Sequence, residues 1–193
     1  MALGRATDAV PLLERALPAG SRGGCEGVRA RTRGTGGITV VGSDSAPDLI
    51  AMINSLPDGW VRANGLHFLA ASADGVTAEM VVGPQHRQPY GLVHGGVYAG
   101  IIESLASVGA ALSVMPDGRS AVGLENHTTF LRACREGTLH ASATPLTRGS
   151  RTQVWEVAIR DDAQRVVAIG RVRLLVLDAD SDVAGGTLTI KDA

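Results

Sequence analysis

The feature that most constrains this chain is an almost wholly apolar stretch, GLVHGGVYAGIIESLASVGAAL, at residues 91–112. Its apolar residues recur at helical spacing, which predicts one long helix. At about 100° per residue, its large side chains share one face: Val97, Ile101, Leu105, Val108 and Leu112. The opposite face holds small residues with one acid and one hydroxyl: Gly96, Ala99, Glu103, Ser107 and Ala110. The pattern predicts a sheet against the first face and a ligand or a second subunit against the other.

Glu103 needs an explanation, because desolvating an unpartnered carboxylate costs several kcal/mol. One interpretation is structural: the acid pairs with an arginine across a dimer interface. The other is functional and draws on the preceding HGG turn at residues 94–96. Free backbone N–H groups and the positive end of the helix dipole meet there, which favours an oxyanion or a carbonyl oxygen about 10–12 Å along the axis from Glu103. The residues alone leave both interpretations open.

The rest of the chain predicts an α+β fold in one domain. A short amphipathic helix is predicted in SDSAPDLIAMINSLPDGW, and two strands around the ADG turn in LHFLAASADGVTAEMVVG. After the long helix, four strands are predicted, in AVGLENHTTFLR, GTLHASATPLT, RTQVWEVAIRD and RVVAIGRVRLLVLD. Trp155, Val157 and Ile159 alternate with polar residues, as in an antiparallel strand with one face on a core. We therefore expect an antiparallel sheet wrapped around a central helix.

The domain is predicted over residues 46–178. Residues 1–45 are rich in Gly and Arg without a sustained period and are expected to be a disordered leader. Residues 179–193 are expected to be a flexible tail.

Composition argues against several classes of function. The net charge is −1 and no basic stripe is present, which argues against a nucleic-acid partner. Glu103 interrupts the longest apolar run before it reaches the roughly 18 uncharged residues of a membrane span, so a soluble protein is expected. Two scattered cysteines suit a cytoplasmic location and argue against a disulfide framework. The histidines form no HExxH or HxH pattern, so neither a metal nor another cofactor is predicted.

Three motifs carry a resemblance to a known family: RQPYGLVHGGVYAGIIESLASVGAA, AVGLENHTTFLRACREG and PLTRGSRTQVWEVAIRDD. They resemble the hotdog-fold acyl-CoA thioesterases, in the branch of the hydroxybenzoyl-CoA and 1,4-dihydroxy-2-naphthoyl-CoA thioesterases. The resemblance covers about residues 60–177 and implies the hotdog fold and hydrolysis of a thioester to an acid and free coenzyme A.

The resemblance also implies roles for single residues. Glu103 stands where the family has its nucleophile or general base. Gly95 stands where a backbone N–H polarises the thioester carbonyl, with Gln88 and His94 beside it. Ser107 stands where a hydroxyl orients the attacking water.

Four further positions match, more loosely, those that hold the phosphates of coenzyme A: Arg132, Arg148, Ser150 and Arg151. From the residues alone, these side chains are equally well explained as solvated turn residues. A homodimer or homotetramer is expected, because a lone sheet around one helix would leave the Ala/Gly/Ser face of the helix open and its edge strands unpaired. The resemblance implies that the active site is shared across the dimer, with Glu103 and Gln88 acting from different chains.

The substrate expected from the resemblance is an aryl-CoA rather than a long-chain acyl-CoA, although aromatic residues make up only 3 % of the chain. Two other functions remain as alternatives: a hotdog protein that binds acyl-CoA without turnover, and a hotdog dehydratase.

Overall fold

The structure, a computed structural model, describes residues 46–187. Three α-helices are present, α1 at Ala46–Ser55, α2 at Gly59–Asn64 and α3 at Gly95–Val114, with 3₁₀ turns at Pro84–His86 and Met115–Asp117. The strands are β1 Leu66–Ala71, β2 Val76–Val81, β3 Ser120–Phe130, β4 Thr138–Arg148, β5 Thr152–Arg160, β6 Val166–Leu177, β7 Asp182–Val183 and β8 Gly186–Thr187. The predicted leader lies outside the described residues, as do residues 188–193 of the predicted tail.

Six strands form one sheet in the order β1-β2-β4-β5-β6-β3, and every neighbouring pair is antiparallel. The long helix α3 packs against this sheet, which confirms the predicted α+β hotdog fold. The short strands β7 and β8 form a separate hairpin in the region predicted as a tail. Two strands are edges of the sheet, β1 and β3, and α1 packs on β1.

The core forms where β5 meets α3. Trp155, Val157 and Ile159 have no exposed surface, as the alternation predicted. Gly109 makes room for the Trp155 ring, because a Cβ there would stand 2.4 Å from the ring. The indole Nε1–H donates to Gln153 Oε1 at 2.9 Å, so the buried polar atom is satisfied.

The two faces of α3 differ from the prediction at three positions. Val97, Ile101 and Leu105 are buried as expected, but Val108 and Leu112 are only partly buried. Ala110, predicted on the open face, has no exposed surface. The physical reason is that the sheet also covers Tyr98, Ile102, Ala106 and Gly109, so the buried face of α3 is rotated from the predicted one toward these residues.

Glu103 does not by itself keep the long helix from meeting the length and hydropathy criteria of a membrane span. Among the described residues, one helical segment, Gly95–Asp117, is long and apolar enough to cross a membrane, with a mean hydropathy of 1.6 over 18 residues. Half of that window is buried inside the fold. The core helix of a soluble protein meets the same criterion. In this structure α3 packs against the strands of the six-stranded sheet.

Candidate active site

The loop before α3 is held in place by a buried histidine. His86 is 1 % exposed, and its Nδ1 accepts a hydrogen bond from the Gly83 N–H at 2.8 Å. Its Nε2 lies 3.0 Å from the carbonyl oxygen of Asn64, and its own carbonyl accepts from the His94 N–H at 2.8 Å. Both ring nitrogens therefore have partners, and the loop that carries Gln88 and His94 is fixed to the end of α2.

The start of α3 presents hydrogen-bond donors. His94 is the N-cap, and its Nδ1 accepts from the Gly96 N–H at 2.9 Å. With Nδ1 acting as acceptor, the proton of the neutral ring lies on Nε2, which is then a donor. The Gly95 N–H has no acceptor among the residues that the structure describes. A free N–H in the first helical turn is suited to an anion or a polarised carbonyl oxygen.

A cleft of about 360 Å³ opens at this end of the helix, and its walls include Gln88, Gly95, Tyr98, Phe130 and Arg132. The Phe130 ring rests on the helix start, because a Cβ at Gly95 would stand 2.6 Å from its Cζ. The structure thus brings together Gln88, Gly95 and Arg132 of the predicted set.

Tyr98 lies at the base of this cleft. The residue is 4 % exposed, and its hydroxyl has no hydrogen-bond partner in the described part of the chain. Burial, with smaller contributions from the nearby Cys134 and Asp161, raises the pKa of Tyr98 to about 12. Burial also raises the pKa of the Cys134 thiol. Both groups are therefore neutral near pH 7.

The predicted acid lies in the middle of α3. Glu103 is half-buried, its Oε2 accepts from Asn126 Nδ2 at 2.9 Å, and its Oε1 accepts from Ser107 Oγ at 3.3 Å. Asn126 Nδ2 also donates to the Ala99 carbonyl at 3.1 Å, and its Oδ1 accepts from Thr128 Oγ1 at 2.7 Å. Amide and hydroxyl groups of its own chain therefore hold the carboxylate.

No arginine pairs with Glu103 within residues 46–187. The arginine of the structural interpretation would belong to a second subunit, and no arginine of the same chain takes its place.

Gly123 of β3 lets the strand approach this carboxylate. A Cβ at Gly123 would stand 2.3 Å from Glu103 Oε1. The pairing of β3 with β6 shifts in register between Gly123 and Glu125, so the strand is irregular at this point. Gly123 and Asn126 are the two residues that sequence reasoning missed here. The signal that could have found them is a glycine and an amide in a strand that follows the acidic helix.

Within one chain, the two parts of the candidate site are separate. Gly95 and Glu103 are eight residues apart on α3, about 12 Å of helix rise. Glu103 does not line the cleft that contains Gln88 and Gly95. One chain therefore presents a set of donors at one position and a carboxylate at another.

The predicted coenzyme A residues are also divided. Arg132 follows the end of β3 and lines the cleft. Arg148 ends β4 and contacts the β1–β2 turn, with Nη1 2.9 Å from Asp74 Oδ1 and 3.0 Å from the Ala73 carbonyl. Ser150 and Arg151 lie in the turn that follows. Since β4 begins at the end of the sheet where β3 finishes, its 11 residues separate Arg132 from the other three by about 35 Å.

Fold, helix-borne carboxylate and free helix N-terminus together define a hotdog protein with a candidate hydrolytic site. The family model described as the thioesterase superfamily matches residues 90–168. A 1,4-dihydroxy-2-naphthoyl-CoA hydrolase of Escherichia coli K12 is 36 % identical over 126 residues, which cover 65 % of this chain and 92 % of that protein. A candidate esterase of Mycobacterium tuberculosis is 46 % identical over 117 residues, 60 % of this chain and 84 % of the relative.

Among solved structures, a mutant thioesterase from Pseudomonas aeruginosa superimposes with a TM-score of 0.64 at 30 % identity, covering 69 % of this chain and 96 % of that one. This chain belongs to the thioesterase superfamily. Its class is therefore that of a thioester hydrolase.

Proposed function

We propose that this chain hydrolyses acyl-CoA thioesters, with Glu103 as the catalytic carboxylate. One observation carries the proposal. The half-buried Glu103 carboxylate lies on α3, where Asn126 and Ser107 hold it by hydrogen bonds, and the free N-terminus of the same helix lines a cleft. These hydrogen bonds hold the carboxylate in a fixed orientation beside β3. A base or nucleophile in fixed geometry near a carbonyl-binding N–H is the arrangement that acyl transfer needs.

The reaction follows from these groups. The thioester carbonyl oxygen accepts hydrogen bonds from the Gly95 N–H, with Gln88 and the His94 Nε2–H beside it. Glu103 takes a proton from a water that Ser107 orients, and the water oxygen bonds to the carbonyl carbon. The C–S bond then breaks, and the proton on Glu103 goes to the leaving sulfur, which gives a free acid and coenzyme A.

Attack by Glu103 itself is the other route, through an anhydride that water hydrolyses. A single turnover in ¹⁸O-labelled water separates the two routes. Direct attack by water places the label in the product acid, whereas an anhydride opened at the Glu103 carbonyl leaves the label on Glu103.

The site is proposed to be complete only in a homodimer, which could assemble further into a tetramer. β3 is an edge strand with unpaired backbone groups, and Leu124 on it is 51 % exposed. Two β3 strands related by a two-fold axis would pair antiparallel. This pairing brings the Glu103 region of one chain toward the Gly95 cleft of the other. It also brings the turn with Arg151 toward the partner's Arg132, which would gather the groups proposed to hold coenzyme A phosphates.

An aromatic acyl group is the proposed substrate class. The named Escherichia coli relative acts on 1,4-dihydroxy-2-naphthoyl-CoA, which has a flat aromatic acyl group. Since apolar pockets separate acyl groups by only about 1–3 kcal/mol per methylene, hydrolysis of several acyl-CoAs is expected beside the preferred one.

Thiol release from benzoyl-, hydroxybenzoyl-, dihydroxynaphthoyl-, hexanoyl- and palmitoyl-CoA tests the proposal. Glu103→Gln should lower kcat at least about 10³-fold, since it removes the base or nucleophile and keeps the shape. Glu156→Gln is the matched control, because Glu156 pairs with Arg171 away from the site. It should stay within about twofold of the wild type.

Unchanged turnover in Glu103→Gln would remove the catalytic assignment. Binding of acyl-CoA by the wild type without turnover would favour a binding protein instead. A tenfold or greater lead of palmitoyl-CoA would remove the aryl preference.

A further inference from the structure

The indole of Trp60 lies directly on α3, less than one helical turn from the proposed catalytic acid. A Cβ at Gly100 would stand 2.2 Å from Cζ2 and 2.6 Å from Cη2 of Trp60, so the ring rests on the helix backbone. Gly100 precedes Glu103 by three residues, about 4.5 Å of helix rise, and points about 60° away from it around the axis. Ring and carboxylate therefore flank the same strip of α3.

The strip between them has no large side chain. Gly96 and Ser107 lie on it, and Glu103 borders it on the side of β3. Trp60 borders it on the side of α2 and is 39 % exposed. A flat group can approach the helix backbone here, with an aromatic ring on one side and the acid on the other.

α2 holds Trp60 in this position and contributes little to the core, since only Val61 packs against it, partly buried. None of its residues is buried, although it is a complete helix from Gly59 to Asn64. Asn64 Nδ2 donates to the Trp60 carbonyl at 2.9 Å, and the Asn64 carbonyl lies 3.0 Å from Nε2 of the buried His86. The ring is thus tied to the loop that carries Gln88. α2 therefore places an aromatic ring on α3 while none of its own residues is fully buried.

We propose that Trp60 forms one wall of the acyl site and gives the enzyme its preference for planar aromatic acyl groups. The inference rests on the proposed thioesterase function of the same site. Aromatic rings attract one another through stacked or edge-to-face contacts beyond the area that they bury. An aliphatic acyl chain gains only the free energy of burying its apolar surface against the ring. The side chain at residue 60 therefore acts on the ratio between the two classes of substrate.

The first test compares kcat/KM for benzoyl-CoA and hexanoyl-CoA in two variants. Trp60→Leu keeps an apolar side chain and removes the ring, so the benzoyl/hexanoyl ratio should fall about tenfold while hexanoyl-CoA hydrolysis changes by less than about threefold. Trp60→Phe keeps a ring and should retain most of the ratio. Equal losses for both substrates, or an unchanged ratio, would overturn the proposal and assign the ring to packing or to a subunit contact.

A variant at a different residue checks the same contact. Gly100→Ala places a methyl group where the indole lies, so the ring must move. It should reduce the ratio in the same direction as Trp60→Leu. A Gly100→Ala enzyme with wild-type selectivity would contradict the proposal.

Fluorescence separates this inference from the proposed function. The chain has two tryptophans, and Trp155 is fully buried. A benzyl-CoA thioether, which has no carbonyl to attack, should alter the emission of the wild type but not that of Trp60→Phe. If the wild type hydrolyses neither benzoyl-CoA nor hexanoyl-CoA yet shows this change in emission, the proposed function fails and Trp60 keeps its role in binding. If the wild type hydrolyses both thioesters and its emission does not change with the thioether, the inference about Trp60 fails and the proposed function stands.

Discussion

The start and the middle of α3 differ in the hydrogen-bonding groups that they present. The start is a set of donors, with the free N–H of Gly95 and the imidazole of His94 above a cleft. The middle is an acceptor, the carboxylate of Glu103, which donors of its own chain already hold. Each region is well ordered by its neighbours, yet neither can polarise a carbonyl and deliver a nucleophile by itself. This difference is the reason why we propose that the site is complete only with a second copy of the chain.

The largest expected effect comes from mixing two inactive variants. If Glu103 and Gln88 of one site come from different chains, Glu103→Gln and Gln88→Ala dimers should each be nearly inactive. After co-refolding in equal amounts, half of the dimers should be mixed, each with one intact site. Activity should rise to about a quarter of the wild type, on the order of 100-fold above either parent. Mixed dimers confirmed by native mass spectrometry but without recovered activity would place both residues in one chain's site.

The donor region alone is tested by Gly95→Ala. Its methyl group would stand 2.6 Å from the Phe130 ring, so the helix start must shift and the free N–H with it. Loss of one oxyanion donor typically costs about 10²–10³ in kcat, and about 10² is expected here.

The double variant Gly95→Ala with Phe130→Ala removes that clash and should recover part of the activity. A Gly95→Ala enzyme at full activity would show that the carbonyl is polarised elsewhere.

The acceptor region alone is tested by Asn126→Ala. This variant removes the 2.9 Å hydrogen bond to the Glu103 carboxylate, and bonds to charged groups are worth about 1.5–3 kcal/mol. A loss of about tenfold to 100-fold in kcat is expected. Thr128→Val should cost less, because Thr128 reaches the carboxylate only through Asn126. Equal losses in the two variants would contradict this order.

The smallest effect concerns the base of the cleft. The pKa of Tyr98 is raised from 10.0 to about 12 in the folded chain. Its stabilising contribution is therefore complete below pH 10, where the tyrosine is neutral in both states, and is lost as pH rises from 10 to about 12. The loss is about 1.4 kcal/mol per pH unit at most.

Tyr98→Phe should remove this part of the pH dependence. It should not destabilise the protein at pH 7, since the hydroxyl has no partner among the described residues. Urea unfolding of both proteins at pH 7, 10 and 11.5 measures the difference. A Tyr98→Phe protein that loses more than about 1 kcal/mol at pH 7 would reveal a hydrogen bond to that hydroxyl.

Much of the fold could be predicted from periodicity. Alternation identified the buried face of β5, Trp155, Val157 and Ile159, and the helical period identified α3 with Val97 and Leu105 on its covered side. These patterns are local, because each side chain's direction follows from strand or helix geometry alone. The helix α2 was not predicted. Six residues that begin with Gly59 and are followed by Gly65 have little helical preference of their own, and such a short helix depends on its neighbours.

The sequence by itself determined the kinds of groups available: an acid on an apolar helix, a glycine pair after a histidine, and strands of alternating character. Tertiary structure decided which groups meet. Asn126 reaches Glu103 from 23 residues away, and Trp60 rests on Gly100 from another helix. Arg132 and Arg148 both match positions that hold coenzyme A phosphates, but Arg132 precedes the start of β4 and Arg148 ends it. The physical reason is that local periodicity gives the direction of a side chain, whereas a contact depends on how separate elements pack into one core.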